Sequence, residues 1–393
     1  MRAIRTLLLA GSAAALAGCA EDTVAPAAVD TAAPVLSAAD ASRAVEGQYI
    51  VVLEEGANPR SVAAVAGVSP RYVYTAALNG FAGTLNAGQL TALRHNPNVA
   101  YIEQDQVVSV STTQTGATWG LDRTDQRSLP LSTSFTYVNT GLGVNAYIID
   151  TGIRFDHVDF GGRASTGFDA VTPGGTAADC QGHGTHVAGT VGGLTWGIAK
   201  AVTLKAVRVL DCSGSGTNAG VAAGMDWVTA NHVKPAVANM SLGGGASTAI
   251  DDATRRMIAS GVATTIAAGN GNMAGRAQDA CNYSPARVAE GITIGATTST
   301  DAKASYSNYG ACVDFFAPGS SITSASHSSS TGSSVKSGTS MAAPHVAGVA
   351  ALYLQSNPAA TPQQVRDALY AGTTKGIVTS SKTTDNHLLF SSY

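Results

Sequence analysis

VTLKAVRVL (residues 202–210), NAGVAAGMDWVTANH (218–232), AVANMSL (236–242), AIDDATRRMIASG (249–261) and VATTIAAG (262–269) follow one another through the middle of the chain. Short apolar runs of strand length alternate with longer, helix-like stretches. Continuously apolar strands are buried on both faces, and connecting helices are what bury them. The pattern therefore predicts an α/β domain, a mainly parallel sheet between two layers of helices. GVNAYIID (143–150), GITIGAT (291–297) and VDFFAPG (313–319) add strands. SMAAPHVAGVAALYLQ (340–355) adds a helix, and another opens at Thr361-Pro362, an N-cap followed by proline at the first helical position. This domain is expected over 112–393.

A smaller pattern precedes it, over 47–111. QYIVVLEE (48–55) alternates as a strand, and NPRSVAAVAG (58–67) is a short helix. YVYTAALNGFAGTL (72–85) reads as two strands around Asn79-Gly80, a turn signal. AGQLTALRHN (87–96) and VAYIEQDQVVSV (99–110) supply a helix and a last strand. The order is that of a ferredoxin-like α+β unit, and so short a chain buries little core by itself. Residues 20–46, rich in Ala, Pro, Ser, Thr and Asp, read as a flexible linker.

The first residues read as an export signal: Arg2 and Arg5, then the apolar LLLAGSAAALA (7–17), too short to span a membrane. Leu16-Ala17-Gly18-Cys19 is similar to a lipoprotein processing box, which would make Cys19 a lipid attachment point; the plainer reading is an ordinary cleavable signal that happens to contain a cysteine. The 393 residues are 45 % hydrophobic and 12 % charged, a globular composition, and the formal charge of −3 gives no reason to expect nucleic acid. Apart from Cys19 there are four cysteines, Cys180, Cys212, Cys281 and Cys312. An even number in an exported chain suggests two disulfides, with three pairings open. Their spacing matches no paired zinc motif.

In such a sheet, functional groups gather at the carboxyl ends of strands and at helix N-termini. Asp150 ends the strand in YIIDTG, His183 opens the helix in GHGTHVAGT, and Ser340 opens a helix in SGTSMAAPHVAG. A serine hydroxyl needs a base within hydrogen-bond reach, and the base needs an acid to orient it. At a helix N-terminus the serine also gains backbone donors for a developing oxyanion. Taken singly, each residue has a plainer reading: a turn aspartate, a structural histidine, an N-cap serine. Together, in the order Asp, His, Ser, they form a triad. His186 and His345 sit inside helices and read as packing residues. HGTH is not HExxH, so a zinc protease is unsupported.

These motifs, DTG, GHGTHVAGT, SLGGG, AAGN and GTSMAAPHVAG, resemble the subtilase family, nearest the proteinase K and aqualysin branch, over about Trp119 to Phe390. Residues 47–110 resemble the family's inhibitor-type propeptide. The resemblance implies a secreted serine endopeptidase made as a self-processed precursor, cut near Ser111–Thr112, with the propeptide as intramolecular inhibitor and folding aid. It implies Ser340 as nucleophile, His183 as base, Asp150 as its orienter and Asn270 as oxyanion donor. Extended substrate would lie between two exposed strand edges, Ser241, Leu242, Gly243 and Gly244 on one side and Gly214, Ser215 and Gly216 on the other, with Ala268 and Gly269 beside Asn270. It implies the pairings Cys180–Cys212 and Cys281–Cys312, and structural calcium at Asp314 with carbonyls near Ala289 and Gly291, although the relative has proline in place of Ala289. No cofactor is expected for catalysis. The mature enzyme is expected to be a monomer cutting after apolar or aromatic residues at neutral to alkaline pH, since the base must be unprotonated. Two other readings compete: a surface lipoprotein that only holds peptides, and an esterase, which the absence of GxSxG disfavours.

Overall fold

The computed structural model describes residues 32–38, 44–108, 111–272 and 274–393. The chain divides into two units, Met1–Val108 and Ser109–Tyr393. Cys19 and the export segment lie outside the described residues.

In the smaller unit, strands Ala44–Leu53, Tyr72–Tyr74, Gly80–Thr84 and Val99–Gln106 alternate with helices Pro59–Val65 and Ala87–Arg94. Both helices start at caps written in the sequence. Asn58 accepts from the first-turn amides ahead of Pro59, and Asn86 forms a capping box with Gln89. Val51, Phe81, Leu93 and Ile102 are fully buried between sheet and helices. Two expectations need correction. Val35–Leu36, read as linker, is an edge strand pairing in parallel with Ile102 and Glu103, and the Ala44–Leu53 strand also begins inside the expected linker. An open sheet edge offers unpaired groups that a passing chain can use. Asn79-Gly80 is not a two-residue hairpin turn, because Gly80 is already in its strand. A Cβ there would lie 2.1 Å from the Val51 carbonyl oxygen, so close approach between strands is what requires the glycine.

The larger unit is built on a seven-stranded sheet. From edge to edge it runs Phe315–Pro318, Ile292–Thr297, Ala263–Ala267, Ala236–Met240, Asn145–Asp150, Thr203–Arg208 and Ala164–Asp169. Every pairing is parallel. Side chains alternate across a strand, so Ala146 and Ile148 join one core while Tyr147 and Ile149 join the other. Helices His183–Gly192 and Thr339–Ser356 pack in the first core, and Asn218–Asn231 and Thr248–Ala259 in the second. The result is the expected three-layer α/β/α arrangement. Among the described residues no helix is long and apolar enough to cross a membrane.

The unit opens with a hairpin of Thr112–Thr115 and Ser134–Tyr137. Its first strand is held from beneath. Lys200 is 7 % exposed and its ammonium donates to Gln114 Oε1 at 2.5 Å. Gln114 Nε2 donates to the Thr195 carbonyl at 2.9 Å. Burial pushes the Lys200 ammonium down to about 8.

Candidate active site

Asp150 is the last residue of a central strand and is fully buried. His183 is the first residue of its helix. Its Nδ1–H donates to Asp150 Oδ1 at 2.8 Å and Oδ2 at 3.0 Å. A proton held at Nδ1 leaves Nε2 free to act as acceptor. Burial works against the imidazolium, but the charge and hydrogen bond of Asp150 outweigh it, and the net effect raises His183 above its ordinary 6.5.

The N-terminus of the His183 helix is organised by Asp179, which the sequence reading missed. Its carboxylate accepts from the amides of Gln181 at 2.9 Å, Gly182 at 2.8 Å and Thr185 at 2.9 Å, and from the hydroxyls of Thr151 at 3.0 Å and Thr185 at 2.5 Å. Gln181 Oε1 accepts from His183 N at 2.8 Å. Gly182 has φ +100°, and a Cβ there would strike the His327 ring at 2.2 Å.

Ser340 is the second residue of the helix Thr339–Ser356. Pro344, one turn further on, has no N–H, so the Ser340 carbonyl lacks its helical donor. The Ser241 hydroxyl supplies one at 2.8 Å. Ser340 Oγ–H donates back to the Ser241 carbonyl at 3.1 Å. Ser241 Oγ also accepts from Asn239 Nδ2 at 2.8 Å, and Asn239 Oδ1 accepts from the Thr265 hydroxyl at 3.0 Å. Asn239 and Thr265 face one another in the sheet. The available signal was a polar residue in the middle of each of two buried strands.

Asn270 follows the strand Ala263–Ala267. Its Oδ1 accepts from Thr339 N at 2.8 Å and Thr339 Oγ1 at 3.0 Å. Two donors on one end fix the amide orientation, so Nδ2 turns outward and has no hydrogen-bond partner among the described residues. Buried Asn308, also missed, shapes this loop. It donates to the Ala268 carbonyl at 2.9 Å and accepts from Gly271 N at 3.0 Å and Gln278 N at 2.8 Å.

A cavity of about 460 Å³ is lined by Ser241–Gly244, Gly214–Gly216 and His183. Leu210, Val221 and Ile250 give it apolar wall. Gly244–Gly245 pairs antiparallel with Tyr283–Ser284. Gly214–Gly216, expected as a strand edge, is not a strand. Asp211 Oδ1 gathers Ser213 N at 2.8 Å and Ser215 N at 3.0 Å, and Gly214 has φ +80°, so the segment closes a turn. Ala268 and Gly269 belong to the loop that carries Asn270 and do not line the cavity.

His186 and His345 are buried; His186 Nε2 meets the Ile322 carbonyl at 2.9 Å and His345 Nδ1 the Met341 carbonyl at 2.8 Å. Burial pushes both down to about 4, so both stay neutral near pH 7. Cys180 is bonded to Cys212, and Cys281 to Cys312. The calcium expectation at Asp314, Ala289 and Gly291 does not fit. Asp314 Oδ1 takes Arg366 Nε at 3.1 Å and Nη2 at 2.5 Å, and Oδ2 accepts from Thr293 N at 2.7 Å. Both oxygens are already engaged, one of them by a cation.

Residues 141–390 match the Subtilase family, and residues 48–111 match Peptidase inhibitor I9. An extracellular serine proteinase of Thermus sp. (strain Rt41A) is 53 % identical, covering 94 % of this chain and 95 % of that protein. Alkaline serine exoprotease A of Vibrio alginolyticus is 49 % identical over 92 % of this chain and 70 % of that protein. The crystal structure of a cold adapted subtilisin-like serine proteinase superposes with a TM-score of 0.69 at 53 % identity, covering 71 % of this chain and 100 % of that one. The chain belongs to the subtilase family: it is a serine proteinase made with an inhibitor-type propeptide.

Proposed function

We propose that Ser340, His183 and Asp150 carry out the peptide cleavage and that Asn270 stabilises its oxyanion. The observation that carries this is the buried Asp150 carboxylate on His183 Nδ1, with the Asn270 amide turned outward beside the Ser340 helix. In the resting arrangement the Ser340 proton points to the Ser241 carbonyl. On substrate binding it turns to His183 Nε2, since such hydrogen bonds often align only in the complex. Ser340 Oγ attacks the carbonyl carbon and His183 takes the proton. Asn270 Nδ2–H and Ser340 N–H, a first-turn amide without a helical partner, receive the oxyanion. His183 then protonates the leaving amine, and water repeats the sequence on the acyl-enzyme. The apolar wall of Leu210, Val221 and Ile250 suits an apolar or aromatic side chain before the scissile bond.

The precursor is exported, as the names of its relatives suggest, and cut near Ser111–Thr112, both exposed. That cut separates Cys19 from the mature enzyme and leaves it without an anchor. Calcium belongs with a different oxygen set from the one expected. Among the described residues no three His, Cys, Asp or Glu side chains converge. Asp122 spends both oxygens on Gln126, Ser132 and Thr133, and Asp125 Oδ2 accepts from Thr136 N at 2.6 Å, which leaves Asp125 Oδ1 as the candidate ligand. Asp125 Oδ1 is buried and has no hydrogen-bond partner among the described residues, and buried oxygen ligands suit a calcium ion.

The intact masses of the exported protein and of Ser340→Ala test the central reading. Wild type should lose everything before about Thr112 while the variant keeps it. If both keep it, Ser340 does not process the chain.

A further inference from the structure

Lys336 ends the strand Ser333–Lys336, just ahead of the Ser340 helix. That strand pairs antiparallel with Ile322–Ala325, placing Lys336 opposite Ile322. The Ile322 carbonyl is the one that meets His186 Nε2 at 2.9 Å. His186 stands one turn along the helix from His183, on the same side. This chain of contacts fixes Lys336 near the base. Its ammonium is close enough to oppose protonation of both histidines.

Two further observations give the cation a role. Of the other cations near this end of the helix, Arg154 is paired with Asp156 at 2.9 Å and donates to the His327 carbonyl at 2.7 Å, and Arg208 is paired with Asp169 at 3.4 Å. Lys336 is partly buried and has no hydrogen bond or ion pair among the described residues. It is also absent from the lining of the cavity that Ser241–Gly244 and Gly214–Gly216 form with His183. That cavity holds the acyl half of the substrate. On the reading above, His183 gives its proton to the leaving amine; Lys336, near His183 and outside that cavity, then stands nearer the departing half than the acyl half.

We propose that Lys336 determines specificity on the leaving side: it favours substrates with Asp or Glu at the first or second position after the scissile bond and disfavours Lys or Arg there. This rests on the reading of Ser340 and His183 as nucleophile and base. A half-buried, unpaired cation acts through a lower effective dielectric than bulk water, and charge complementarity of this kind governs choice between partners.

The test is a set of internally quenched peptides with a constant acyl side and Asp, Asn or Lys at each of those two positions. For wild type kcat/KM should favour Asp over Lys by about tenfold, a ratio that shrinks in high salt. Lys336→Met should bring the ratio near one, Lys336→Glu should invert it, and Lys336→Arg should keep it. Each ratio is measured within one enzyme, so a poorly folded variant cannot imitate the effect. A wild-type ratio near one, or a ratio unchanged in Lys336→Met, overturns the proposal. If even the Asn peptides are uncut and Ser340 resists acylation by a fluorophosphonate, the premise itself fails and the inference falls with it.

Discussion

Asn270 is held by its oxygen, and that decides what its nitrogen can do. With Oδ1 on Thr339, Nδ2 is the only end left to meet a developing charge. A donor aimed at charge that exists only in the transition state acts on kcat more than on KM. Asn270→Ala should therefore lower kcat by about 10²–10³, the usual cost of losing one such donor, with KM nearly unchanged. The pH profile carries a second signature. His183 must be neutral to accept a proton and is raised above 6.5, so kcat/KM should fall as pH drops through that raised value. Asp150 and Asp179 push it up and Lys336 pushes it down. Removing the cation in Lys336→Met should move the acid limb to higher pH, readable in the same peptide assay. At this scale the sequence exposed residues that sit in long motifs: Asp150, His183, Ser340 and Asn270. Asp179 and Asn308 escaped notice because a polar residue in a loop has no periodicity, and its importance lies in how many backbone amides converge on it.

Strand ends and helix starts bring these residues together, and one proline links two of them. Pro344 frees the Ser340 carbonyl, and Ser241 takes it up. Ser241→Ala would leave a buried acceptor unsatisfied, at a cost of about 1–3 kcal/mol. It would also release the end of the Asn239–Thr265 chain from Ser340. In an inactive Ser340→Ala background, which prevents self-digestion, denaturant unfolding should show that loss. In the active enzyme kcat should fall with little change in KM. Six strands of the main sheet were legible through their apolar runs. The seventh, Ala164–Asp169, was unreadable because ASTGFD is an edge strand with mixed exposure and no apolar run. Gly214–Gly216 misled for a related reason: glycines allow both extended chain and turn, and only the gathering of amides by Asp211 decides between them.

At the scale of the molecule, two covalent links and one polar cluster restrain the larger unit. The disulfides join residues separated by 32 and 31 positions, each loop worth about 3–4 kcal/mol in the chain-entropy account. Composition and cysteine count alone left three pairings open, and family resemblance selected these two. The unpartnered Asp125 oxygen, pushed by burial and by the Asp122 charge so that the carboxyl lies at about 6, was invisible in sequence because it depends on what fails to pack against it. Calcium bound there, as proposed above, would add stability by mass action, about 3 kcal/mol at a hundredfold excess over Kd. Inactive protein should therefore melt at a lower temperature after chelation, and Asp125→Asn should abolish most of the difference between the chelated and calcium-loaded forms. An unchanged difference would remove Asp125 from the binding site.

The grip of Lys200 on Gln114 has a practical consequence. The proposed processing near Thr112 would create a new amino terminus directly ahead of a strand whose third residue is pinned to the body of the enzyme. A label or fused cargo attached at that terminus would hang from a fixed post rather than a swinging arm, which makes it a usable anchor for immobilising the protease in a known orientation.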